Sequence, residues 1–121
     1  MYRALVVFAF VCALASAASA QDAVKTDPKH YSVISENAEV RILKVHYGPH
    51  EKSVMHSHPD AVAVFLTDVH AKFNTPDGKF TEQNGKSGDS LFTPAGVHLP
   101  ENLSDKPMDA IVIELKAKPA K

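Results

Sequence analysis

Three histidines carry the most specific chemistry in this sequence. His56 and His58 flank Ser57, and His98 ends the run Pro94-Ala95-Gly96-Val97-His98. Residues two apart in a strand project to the same face. His56 and His58 can therefore present two imidazoles to one ion, and His98 can supply a third from a later segment. Three neutral imidazoles suit a divalent transition metal such as Zn, Ni, Cu, Fe or Mn, with softness and geometry choosing among them. An isolated His-x-His is otherwise an ordinary pair of hydrogen-bonded surface histidines. Here the apolar segment 61–67 (AVAVFLT) follows directly and sets the pair against the core.

A carboxylate ligand is harder to find. Asp60 lies two residues beyond His58 and shares its face if the strand continues, although Pro59 favours a turn there. Glu101 has the opposite parity to His98. His50 and Glu51 lie on the entry segment and could reach inward. A histidine-only site with open positions is the alternative, as in catalytic zinc sites. The remaining histidines are expected to be structural: His30 exposed before the first strand, His46 outward, and His70 paired at the surface with Asp68. Glu39, Glu82 and Glu114 alternate with apolar neighbours and are expected to face solvent. No G-x-S-x-G segment and no Gly-rich phosphate loop occurs.

The elements that must position these groups are short and β-rich. Strands are expected over 31–34, 40–47, 53–58, 61–67, 70–74, 79–83, 90–93, 97–99 and 108–115, with no amphipathic helix between them. Thr75-Pro76-Asp77-Gly78 is a strong hairpin signal, since Gly tolerates the positive φ such turns need. Asn84-Gly85 and Gly88-Asp89 mark further turns. Nine strands at this spacing imply an all-β sandwich or barrel.

The chain has 121 residues and a formal net charge of −1, which fits one domain. There is no basic excess or cluster to draw a nucleic-acid backbone or an anionic membrane surface. Residues 1–20 read as a cleavable secretory signal: Arg3, then the apolar run 4–15, then Ala18-Ser19-Ala20 before the cut. The run is too short to span a bilayer. Cleavage removes Cys12, the only cysteine, so the exported protein forms no disulfide and offers no thiolate. It would be secreted or periplasmic, with no membrane insertion after cleavage. Segments 21–29 and 116–121 are polar and expected as a loose arm and tail around a domain at 30–115.

With both segments in view, the sequence resembles the cupins, the RmlC-like superfamily of small double-stranded β-helix (jelly-roll barrel) proteins. The family's first motif runs Gly, spacer, His-x-His, three or four residues, Glu, six residues, Gly. Here Gly48 precedes His56-Ser57-His58. The second runs Gly-x5-Pro-x-Gly-x2-His-x3-Asn, matched by Gly88, Pro94, Gly96, His98 and Asn102 with one residue missing before His98. The resemblance covers roughly 30–115 and implies an all-β jelly roll with His56, His58 and His98 as metal ligands. The family's Glu falls at Val62 or Ala63, or at Ala61 if the loop is one residue shorter, and none of these binds a metal. The first motif's closing Gly is replaced by Asp68. The resemblance further implies a homodimer, and a small organic ligand inside the barrel, with Val64, Phe65, Phe92 and Leu99 as candidate walls. Three uses remain open: metal-dependent chemistry on that molecule, binding without turnover, or a degenerate barrel with a structural role.

Overall fold

The computed structural model describes residues 21–117; the expected signal, 1–20, and residues 118–121 of the expected tail lie outside the described residues. Nine strands occur there: β1 (Tyr31–Glu36), β2 (Val40–Tyr47), β3 (His56–His58), β4 (Ala61–Phe65), β5 (Val69–Asn74), β6 (Phe80–Gly85), β7 (Ser90–Thr93), β8 (Gly96–Asn102) and β9 (Met108–Leu115). They form a five-stranded sheet, β1-β2-β9-β4-β7, and a four-stranded sheet, β3-β8-β5-β6. The pairs are antiparallel throughout. The expected barrel is thus a jelly-roll sandwich. The two sheets share no strand and do not close into a barrel, so each keeps two edges.

Period-two patterning explains the layers. In β4, Ala61, Ala63 and Phe65 are buried while Val62 and Val64 are not. In β9, Met108, Ala110, Val112 and Glu114 form the inward row. Register places them opposite Tyr47, Val45, Leu43 and Arg41 of β2. The core holds Tyr31, Leu43, Val45, Tyr47, Phe65, Val69 and Met108 among others. Each large apolar side chain buried there contributes about 1.5–3 kcal/mol. The 75–78 turn forms as expected, with Gly78 at φ 81° and the N–H of Thr75 donating to the Lys79 carbonyl at 2.9 Å. Asn84 and Gly85, expected in a turn, instead end β6. Gly85 lies against the Phe65 ring, where a Cβ would clash.

The segment 21–29 departs most from expectation. It is not loose. Residues Ala23–Thr26 make one helical turn, α1, capped by Asp22, whose side chain accepts from the Lys25 N–H. Ala23 is buried. The Ser57 N–H donates to the Gln21 carbonyl at 2.9 Å, so this segment covers the outer edge of β3. The Asp22 carboxylate pairs with Arg41. Polarity misleads here because the polar side chains have buried partners.

Candidate functional site

The β3–β8 pair builds the site. His56 lies directly opposite His98, and His58 opposite Gly96. Parity sends all three imidazoles to the interior face. The Nε2 atoms of His56 and His98 stand 3.1 Å apart. The His58 ring lies 4.4 Å from the His98 ring, centroid to centroid. His56 is 1% exposed.

Two backbone carbonyls set the ring protonation. His56 Nδ1 lies 2.9 Å from the Val54 carbonyl, and His58 Nδ1 lies 2.9 Å from the Pro59 carbonyl. A carbonyl only accepts, so each Nδ1 carries a proton, and in the neutral ring Nε2 then keeps its lone pair. Metal–imidazole bonds run about 2.0–2.1 Å, so two nitrogens on one ion stand roughly 3.0–3.4 Å apart. The His56–His98 pair fits that spacing. No group of three or more His, Cys, Asp or Glu side chains among the described residues is gathered closely enough to hold a metal ion. His58 is the nearby third imidazole.

Burial keeps the two paired rings neutral. The His98 imidazolium is disfavoured by desolvation first and by His58 and His56 second, and its pKa falls to about 3. His56 is also lowered, chiefly by burial. Neutral imidazole is the form that binds metal. A stability prediction follows for the metal-free protein. An unfolded histidine takes up a proton near 6.5, the folded His98 only near 3. Between those values the unfolded state holds more protons, so stability falls with pH; above about 6.5 it is fully present. From pH 7 to pH 5 this group should cost about 2 kcal/mol. Urea titrations of wild type and His98→Asn at both pH values measure it. Equal losses in the two proteins would remove His98 as the cause.

A buried polar chain stands behind His56. Ser53 Oγ lies 3.2 Å from His56 Nδ1 and donates to Asp27 Oδ2 at 2.5 Å. The same oxygen faces His30 Nδ1 at 2.7 Å, and His30 Nε2 faces Glu51 Oε2 at 2.8 Å. His30 stacks on Tyr47 with centroids 4.4 Å apart, and the Tyr31 ring meets His56 edge-on at 4.9 Å. The Lys29 ammonium and the His30 bond hold the Glu51 carboxyl down at about 2. His30, expected to be exposed, is 6% exposed. Asp27, Ser53 and His30 were missed as site residues because their contacts join segments far apart in sequence.

Other expectations fall variously. Asp60 Oδ1 accepts from the Ala95 N–H at 2.7 Å, so its carboxylate ties the β3–β4 turn to the β7–β8 turn and not to the imidazoles. Asn102 is buried; its amide donates to the Gly48 and Lys106 carbonyls. His50 pairs with Asp105 on the surface, and His46 with Asp109. His70 pairs with Glu82, whereas Asp68 pairs with Lys86. Ala63 faces the interior without a ligating atom. Glu114 is not solvent-facing: it is 3% exposed and accepts from Arg41 Nε at 2.6 Å. Its place in the 108-110-112-114 row was the available signal.

The imidazoles open onto a cavity of about 390 Å³ between the sheets. Phe65, Phe73, Leu91 and Val112 are among its apolar walls. Of the four expected walls only Phe65 lines it. Val64 and Leu99 have outward parity, and Phe92 is 57% exposed.

Comparison with known proteins agrees with this architecture. No family model matches the sequence, and no curated protein matches it. Solved structures do. A cupin domain from Bordetella pertussis Tohama I is 28% identical, with a TM-score of 0.67 over 72% of this chain and 92% of its own. A double-stranded β-helix protein from Klebsiella pneumoniae is 20% identical, with a TM-score of 0.58 over 74% of each chain. An RmlC-like cupin family protein from Methanocaldococcus jannaschii is 14% identical, with a TM-score of 0.56 over 70% of this chain and 77% of its own. The chain has the all-β double-stranded β-helix fold of the cupins, and these neighbours support a small cupin-domain protein.

Proposed function

We propose that this is an exported small cupin-domain protein that binds a divalent transition metal through His56, His58 and His98, beside a cavity for a small organic molecule. The observation that carries this reading is the 3.1 Å separation of the His56 and His98 Nε2 atoms. The Nδ1 bonds of His56 and His58 to carbonyls, which leave each Nε2 free to donate its lone pair, support it. Asp60 is left out of the ligand set because the Ala95 amide engages its carboxylate. A bound ion would supply Lewis-acid or oxygen-activating chemistry. The chain's own contribution is to orient the imidazoles, keep them neutral and surround them with apolar walls. The reading is a binding function and does not require turnover.

Export rests on residues 1–20 and places the protein in the periplasm or outside the cell. A homodimer is the assembly we propose. The outer edge of β1 has no partner strand among the described residues, and Val33 and Ile34 on β1 are exposed. Pairing is one way to cover such an edge. Light scattering on the eluting protein reads the mass directly.

The deciding experiment is metal content by mass spectrometry, on untagged protein purified without chelator. Near one equivalent of a single transition metal per chain is expected. No metal, even after incubation with Zn(II), Ni(II), Cu(II), Mn(II) or Fe(II), overturns the proposal and leaves a binding or structural jelly roll.

A further inference from the structure

The outer face of the five-stranded sheet is apolar where solvent usually selects polar side chains. Register sets Ile42, Ile113, Val62 and Phe92 side by side across β2, β9, β4 and β7. On one flank of this row Ile111 neighbours Val64, and on the other Val40 neighbours Leu115. Each has the parity opposite to its strand's inward residues. None lines the cavity or packs against the core cluster. Phe92 is 57% exposed and Leu115 39%. The second sheet occupies the inner face, and segment 21–29 takes the edge of β3. Among the described residues no element remains to cover the outer face.

Size, border and charge fit a second copy of this chain. At about 4.8 Å between strands and about 3.4 Å per residue, the face measures roughly 500 Å² in plan. Side chains standing up from it raise its accessible area towards the about 800 Å² per partner of a stable dimer. Folded monomers seldom leave so large a contiguous apolar patch in water. The border is polar: His46 pairs with Asp109 at one end, and Lys116 with Glu36 at the other. An apolar centre with a polar rim is the usual anatomy of a protein interface. No cluster of Lys or Arg borders the face, as attraction to an anionic lipid surface would need. Two charges beside the row have no ion-pair partner among the described residues. Lys44 is exposed and sits opposite Ile111, while Glu39 immediately precedes β2 at its other end. They lie on opposite sides of Ile42. A twofold axis along the row brings the Lys44 of each copy to the Glu39 end of β2 in the other.

We propose that two copies of this chain pack the outer faces of their five-stranded sheets together, about a twofold axis along the Ile42–Ile113–Val62–Phe92 row, with Lys44 and Glu39 pairing across the interface. This rests on the homodimer reading and adds its main contact surface. The unpartnered apolar rows and the two unpaired charges on either side of them carry it together.

The test is light scattering and sedimentation velocity on the full chain, expressed for export, over a dilution series. Wild type should have the mass of two chains. Ile113→Lys and Val62→Lys each bring a charge to the centre of the face and should weaken the dimer by at least about a hundredfold. A wild-type circular dichroism spectrum checks their folding. Lys44→Glu changes an exposed position and should weaken the dimer about tenfold, and combining it with Glu39→Lys should restore it. If neither lysine variant folds, this charge exchange decides. A dimer of unchanged strength in a folded lysine variant or in Lys44→Glu overturns the proposal and leaves pairing through the β1 edge alone. An exchange that restores nothing overturns it as well. A wild type that is monomeric at every concentration overturns both this interface and the homodimer reading. The same monomer floating with phosphatidylglycerol vesicles would assign the face to lipid instead.

Discussion

His56→Ala should lower the affinity for Zn(II) or Ni(II) by at least about a hundredfold, beyond the 10–100-fold that supporting residues around a metal usually command. The reason is positional. His56 is the most buried of the three imidazoles and lies directly across from His98. Its Nδ1 is engaged by the Val54 carbonyl and approached by Ser53, so its Nε2 is presented without a search among rotamers. His58→Ala should also weaken binding strongly, because it removes the nearby third imidazole. Ser53→Ala should cost about tenfold, since it loosens the ring without removing it. Asp60→Ala should leave affinity unchanged, because that carboxylate serves the Ala95 amide. Calorimetric titration of the four variants reads the whole series. Equal affinity in His56→Ala and wild type would end the metal hypothesis.

Asp27→Ala should destabilise the protein by about 2–4 kcal/mol, because it orphans two buried hydrogen-bonding groups at about 1–3 kcal/mol each. Asp27 Oδ2 is the shared acceptor for His30 and Ser53, and all three residues are buried. Truncation leaves His30 Nδ1 and the Ser53 hydroxyl without that acceptor in the interior, and each orphaned group carries its own desolvation cost. It also removes the tie between segment 21–29 and Ser53, the hydroxyl beside His56. Urea denaturation measures the loss, and Asp27→Asn separates the charge from the shape. A loss under about 1 kcal/mol would mean that water replaces the carboxylate and that the chain behind His56 does not hold the site.

Strand order along the chain was readable because strand signals are local. Segments 40–47, 90–93 and 108–115 end where the structure ends them, since alternation and flanking turn residues lie within each segment. His56 and His58 were readable as one pair for the same reason, and His98 joined them only through the resemblance to the two motifs of a known family. The misreadings share a different cause. His30 looked exposed and Glu114 solvent-facing because polarity was taken for exposure. Asp27 meets Ser53 and Arg41 meets Glu114 only after distant segments pair, and a local pattern holds no record of such a partner.

The amino-acid sequence by itself determined the all-β class, the strand succession and the shared face of His56 and His58, because side-chain period and turn chemistry act over a few residues. Tertiary structure alone decided that the sheets stay separate, that segment 21–29 seals the edge of β3, and that Glu114 is buried against Arg41. Those outcomes depend on which strands become neighbours and on which buried charges meet, and both are properties of the assembled sandwich.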